Sequence, residues 1–361
     1  VKKNNKTPGA IGRFMHNKWV RFLSPLVILC FVAFLLRDKM PFLAQGYDNV
    51  VHANPLLLIV AFLSIFISIV AMAEVMRLLL KAGGSHIPLR HTLHLTLVSN
   101  SWSSTFPGGA AISTVYQFHT MRKWQVSVLI SSWFIIVSGA LSTMWLIALG
   151  LIAIFFLNAS FSLTPLVCSA LFMSALALVV YAATNHPQHT KKIAVKVLRF
   201  WNRLRRRPVL DGVEKLEEHV DQLGNVRLSF WKFSWISLLS LTNWVLDILA
   251  LWLCVGAVTD VLPGVIHIEN NTTILGVTLA FVTSKIAGTA QVTPAGLGPV
   301  EASMTSALVA TGMTVADAFG AVFAYRILSF VIITAIGWLL YAYSAIRGSG
   351  VQVGALASEK N

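Results

Sequence analysis

The sequence predicts an all-α, polytopic integral membrane protein with about six full crossings and two re-entrant helical hairpins in an inverted-topology repeat. Three observations carry this. Of 361 residues, 56% are hydrophobic and only 12% charged, about half the charged share of a soluble domain. Several apolar runs reach the ~20 residues needed to cross a bilayer. Two further apolar stretches are each cut by a Pro-Gly break into arms too short to cross.

A basic tail, residues 1–19, comes first. The run "WVRFLSPLVILCFVAFLL" is longer than a signal-peptide core and no small-residue cleavage site follows, so 20–36 reads as a crossing. A second crossing covers 54–80, and the first hairpin, about 91–124, is broken at "FPGGAA", which contains Pro107, Gly108 and Gly109. Crossings at 125–157 and 163–183 complete an N-terminal membrane half spanning 20–183. Residues 184–228 form a basic linker in which Arg205, Arg206 and Arg207 follow Ile193, Val197, Leu198 and Trp201. That pattern fits an amphipathic helix on an anionic lipid surface, or a positive loop that only sets topology. A C-terminal half, 229–345, holds a crossing at 229–256, a hairpin at about 273–312 broken at "TPAGLG", and a crossing at 314–345, followed by a tail of 346–361. The crossings beginning at 125, 229 and 314 run to about thirty residues and must tilt or extend beyond the hydrocarbon.

Charge sets the orientation. The net charge is +14. With the N-terminus cytoplasmic, only Arg37 and Lys39 fall outside the membrane on the outward side, while Arg77, Lys285 and Arg326 lie within apolar segments. Positive-inside bias therefore predicts both termini in the cytoplasm, in a bacterial inner membrane, and explains the basic balance without nucleic acid. Lys81, Arg90, Arg122 and Lys123 flank the first hairpin, so it enters from the cytoplasm. The second follows the outward loop "DVLPGVIHIENNT", which has no Lys or Arg, and enters from outside. Opposite entry of two broken hairpins is the pattern of alternating-access transporters.

Ionisable residues within a bilayer are costly and point to function. Glu74 and Arg77 stand three apart on one helix face and are expected to pair. Asp247, beside Asn243, lies in the crossing at 229–256. Lys285 and Glu301 occupy the two arms of the second hairpin, and Arg326 lies deep in the last crossing, with Glu301 its natural partner. The pair either pins the hairpin to the last crossing or lines a path for polar headgroups, and both roles are compatible. Pro294, Gly296 and Gly298 break the helix just before Glu301. A helix starting there presents unpaired N–H groups and a positive dipole end, which suit a phosphate. Asp247 and Glu301 are the candidate proton carriers.

Other chemistries find little support. Cys30, Cys168 and Cys254 stand singly in apolar runs. His86, His91 and His94 cluster without a Cys or carboxylate to complete a metal site, so neither metal nor cofactor is expected. No nucleophile elbow or Walker loop is present. The outward acids Asp38, Asp48, Asp260 and Glu269 are scattered, unlike the clustered site expected of a membrane glycosyltransferase.

The stretch "TPAGLGPVEASMTSALVATGMTVADAFGAVFAYRILSF" resembles the C-terminal signature of the lysylphosphatidylglycerol synthase/flippase transmembrane family. The pattern, roughly Pro-x-Gly-x-Gly-x-x-Glu and then Arg-Leu-x-x-Phe/Tyr, falls on Pro294, Gly296, Gly298, Glu301, Arg326 and Leu328. The similarity runs from about 55 to 345, with its specific motifs in the last seventy residues. It implies a membrane lipid translocator, without the soluble aminoacyl-transferase module that some members append. Family members often carry Pro-Gly-Arg-x-Gly-Glu in the first hairpin. Here Gly109 replaces the arginine, which implies a different headgroup or a different way of holding it.

The expected function is movement of an anionic phospholipid or lipid-linked sugar between leaflets, by a non-enzyme that, having no ATP-binding motif, is a passive scramblase or is driven by an ion gradient. The competing readings are an enzyme acting on a polyprenyl-linked sugar and a non-catalytic partner of envelope-synthesis enzymes. Expected partners are membrane lipids, such enzymes and further copies of the chain.

Overall fold

The computed structural model describes residues 51–157, 228–266, 268–289 and 293–346. The crossings expected at 20–36 and 163–183, the basic linker apart from Leu228, with Arg205, Arg206 and Arg207, and both tails apart from Ile346 lie outside the described residues. Among the described residues all regular structure is helical. The helices are α1 (Pro55–Ala82), α2 (Leu89–Thr105), α3 (Gly109–Lys123), α4 (Val128–Leu157), α5 (Phe230–Thr259), α6 (Ile274–Gly288), α7 (Pro299–Ala310) and α8 (Val315–Ile346).

Four of these, α1, α4, α5 and α8, are long and apolar enough to cross a membrane. This is a multi-pass membrane protein. Lipid-facing side chains such as Leu56, Ile59, Leu63, Ile136 and Leu339 are exposed, as an apolar solvent allows. Asn54 starts α1 by accepting from Leu56 N at 3.0 Å, with Pro55 at the first helical position, where its missing N–H costs nothing. Inside α8, residues Ile327–Ile332 form a π-helical turn.

The remaining helices form two hairpins. In the first, α2 and α3 of 17 and 15 residues meet at Pro107–Gly109, where Gly108 takes φ 63°. In the second, α6 and α7 of 15 and 12 residues are joined through a 3₁₀ turn at Pro294–Gly296. Arms of that length fall short of the ~20 residues a crossing needs.

Packing joins the halves crosswise. Helices α1 and α5 run against each other along their length; α2 packs on the C-terminal part of α8, and α6 packs on α4. Since lipid tails are as apolar as leucine, such contacts rely on close approach at small residues. Gly337 in α8 supplies it for α2, where an added Cβ would strike Ser101 Oγ and Leu97 O. Gly150 in α4 supplies it for α6, where a Cβ would meet Val282 Cγ1 at 3.0 Å. Trp102 of α2, stacked on Tyr116 at 5.7 Å and packed 5.4 Å from Trp338, extends the first contact. Trp338 Nε1 also donates to Thr105 Oγ1 at 2.9 Å.

The two contacts occupy matching places. One and the same interval along the chain separates Gly150 from Gly337, Pro107 from Pro294, Gly109 from Gly296, and the left-handed Gln125 from the left-handed Gly312. The hairpin-to-helix turns match bond for bond: Val126 N donates to Met121 O and Met313 N to Leu308 O, both at 3.1 Å.

Gly337→Ala is expected to cost about 1–3 kcal/mol through overpacking, read as a lower unfolding temperature in detergent. Gly139→Ala, whose Cβ meets nothing within 4 Å, is expected to equal or exceed wild type.

Candidate functional site

A cavity of about 420 Å³ lies among the helices. Every helix except α3 contributes to its wall. The lining is mixed: Ser68, Asn100, Ser142, Asn243 and Ser329 alternate with Ile65, Met72 and Ile333, and one acidic and two basic residues, Asp247, Lys285 and Arg326, face it.

At the α1–α5 contact, Asn243 Nδ2 donates to Ser68 Oγ at 2.6 Å, and Ser68 Oγ donates to Asp247 Oδ1 at 2.8 Å. One oxygen of Asp247 is thus satisfied by a hydroxyl, and the side chain lines the cavity. Lys285, on α6, sets its ammonium over the rings of Phe281 and Trp244, 4.7 and 5.4 Å from their centroids. Such contacts stabilise a desolvated cation by up to about 2 kcal/mol. They leave its hydrogens without an acceptor among the described residues.

Arg326 is held by the helix break. Ala295 adopts φ 53°, a left-handed conformation that costs a non-glycine residue roughly 1–2 kcal/mol. Its carbonyl accepts from Arg326 Nη2 at 3.2 Å. Gly298, at φ 96°, then starts α7 with Pro299 in the first position, and its N–H donates to Glu301 Oε2 at 2.7 Å. The other oxygen, Oε1, stands 2.5 Å from Arg326 Nε as an ion pair, off the line of a hydrogen bond. Phe330 lies under the guanidinium, 4.9 Å from its centre. Both side chains are mostly buried, at 14% and 22% exposure. Arg326 lines the cavity and also pins the second hairpin to α8.

The sequence-selected residues divide accordingly. Glu301, Arg326, Pro294, Gly296 and Gly298 come together at the break, and Asp247 and Lys285 share the cavity with Arg326. Pro107, Gly108 and Gly109 form the turn of the first hairpin and do not line the cavity; the α2 arm does so instead, through Asn100, Ser103 and Ser104. Glu74 and Arg77 pair in two parallel contacts of 2.6 and 2.5 Å, away from the cavity. His91 packs edge-on against Trp124, and His94 Nε2 lies 3.3 Å from Leu340 O.

Sequence reasoning missed Ser68, Asn100, Ser142 and Ser329. Their signal was positional. Ser68 and Asn243 lie equally far into α1 and α5, Asn100 and Lys285 into α2 and α6, Ser142 and Ser329 into α4 and α8. All six line the cavity.

Breaking a mostly buried ion pair leaves a charge uncompensated. Glu301→Gln and Arg326→Met are each expected to destabilise by about 1–3 kcal/mol, and the double variant by less than their sum. Thermal unfolding of the four proteins in detergent measures this coupling.

No curated protein matches this chain. The family model described as "Lysylphosphatidylglycerol synthase TM region" matches residues 21–337, taking in all eight described helices but the last turns of α8. The chain belongs to the lysylphosphatidylglycerol synthase TM-region family.

Proposed function

We propose that the protein moves an anionic lipid between leaflets, its headgroup passing through the 420 Å³ cavity while its tails stay in the bilayer. The observation that carries this is the charge of the cavity wall. Lys285 and Arg326 face it against one acid, Asp247, and the Lys285 ammonium has aromatic faces but no acceptor among the described residues. A headgroup phosphate supplies the missing acceptor, and the surrounding hydroxyls and amides replace part of its water.

The internal correspondence supports an inverted-topology repeat with re-entrant hairpins. In this reading α1–α4 and α5–α8 are the two halves, in opposite orientation, with the cavity between them. The common interval between matching prolines and glycines and the exchanged α2–α8 and α6–α4 contacts are what such a repeat requires. The positive-inside bias favours cytoplasmic termini in a bacterial inner membrane. Asp247, hydrogen-bonded to Ser68 at the α1–α5 contact, is the candidate for proton coupling.

Leaflet-resolved movement of labelled phosphatidylglycerol in proteoliposomes tests the proposal. Lys285→Ala and Arg326→Ala are expected to slow it at least about tenfold, a barrier rise of about 1.4 kcal/mol. Gly139→Ala retains the wild-type rate. Equal rates in all four proteins, each folded and monodisperse, would discard the assignment.

A further inference from the structure

Behind Arg326 lies a second cavity of different character. It measures about 550 Å³, opens between α7 and α8, and is walled by Leu297, Ala302, Val315, Phe319, Phe323 and Val331. A cavity of about 150 Å³ lined by such side chains stays dry and binds benzene, so this one has room for a much longer apolar group. Arg326 and Phe330 line both cavities, and Glu301 faces the apolar one.

The partition between the cavities is unusual. It includes the π-helical turn, Ile327–Ile332, none of whose residues is buried. π-turns inside α-helices occur frequently at functional sites. The matching stretch of α4, 140–145, is ordinary α-helix. The ion pair is equally one-sided: Thr114 and Gly139 occupy the positions that match Glu301 and Arg326, and an added Cβ at Gly139 meets nothing. Hairpin one still packs on α4 without a pair. Docking a hairpin therefore does not by itself require Glu301 and Arg326.

Thr305 Oγ1, one turn beyond Glu301, has no hydrogen bond among the described residues, but it is enclosed by protein and not presented to the cavity. The walls thus ask for a ligand that is apolar along most of its length and carries an anion at one end, where Arg326 and Phe330 join the two cavities. An acyl chain and the phosphate it leads to meet those demands in that order.

We propose that the groove between α7 and α8 holds one acyl chain of the lipid whose headgroup lies in the polar cavity, with Arg326 and Phe330 at the junction of head and tail. The assignment rests on the headgroup reading above. Its test uses the full chain in phosphatidylglycerol nanodiscs containing phosphatidylglycerol with a diazirine on one chain, irradiated and mapped by peptide mass spectrometry. With the diazirine at the chain end, labelling concentrates on Val315–Phe319 rather than on the exposed Leu56, Ile59 and Leu63 of α1. With the diazirine beside the ester it shifts toward Arg326 and Phe330. Ala302→Trp, which fills the groove, removes most of this labelling and leaves that of α1 unchanged. Equal labelling of groove and α1, the same map from both probes, or groove labelling that survives Ala302→Trp each overturns the assignment. Lipid movement measured on the same protein separates the two claims. Movement without groove labelling sinks the acyl-chain site alone. Groove labelling in a protein that moves no lipid sinks the translocation reading and leaves the acyl-chain site standing.

Discussion

The guanidinium of Arg326 ties the break in the second hairpin to α8. A broken helix leaves backbone groups without their intrahelical partners, and other groups must satisfy them. Here the carbonyl of Ala295 and the carboxylate of Glu301 converge on one cation, and Glu301 also accepts from the freed N–H of Gly298. The left-handed strain at Ala295, the start of α7 and the attachment of the hairpin to α8 are thereby linked. The same side chain forms part of the wall between a polar and an apolar cavity.

Around that point the chain uses one scaffold twice and charges it once. Prolines, glycines and left-handed turns recur at one fixed interval, because each half must break a helix, turn and press a short arm against the other half's last helix. Backbone constraints of that kind demand the same residues in both places. Charge has no such constraint. Met72, Asn100 and Gly139 stand where Asp247, Lys285 and Arg326 stand in the second half. Burying ions costs free energy that packing does not return, and among the described residues the acidic and basic groups of the cavity wall all come from the second half.

Much of this was legible from residues. Glu301 and Arg326 stood out because ions in apolar runs are rare, and Pro294, Gly296 and Gly298 because a helix cannot pass through them unbroken. Pro107, Gly108 and Gly109 gave the same signal but do not line the cavity that Arg326 faces, since a turn motif announces a break without saying what faces it. Ser68, Asn100 and Ser142 gave only a positional signal: an uncharged polar residue in an apolar run stands out only once a partner across a contact is known. The carbonyl of Ala295 could not be read at all, because every residue has one.

Apolar run length, charge bias and the Pro-Gly breaks, all local properties of the chain, were enough by themselves to determine a multi-pass helical membrane protein with two interrupted hairpins, and the charges within apolar runs pointed to the pairing of Glu301 with Arg326. Only the tertiary structure decided which arm of each hairpin meets which helix, that Asp247 and Lys285 share a cavity with Arg326, and that a second, apolar cavity adjoins it. Those outcomes depend on close approach between residues far apart in the chain, as where Gly337 admits Leu97 and Ser101, and no single segment carries that information.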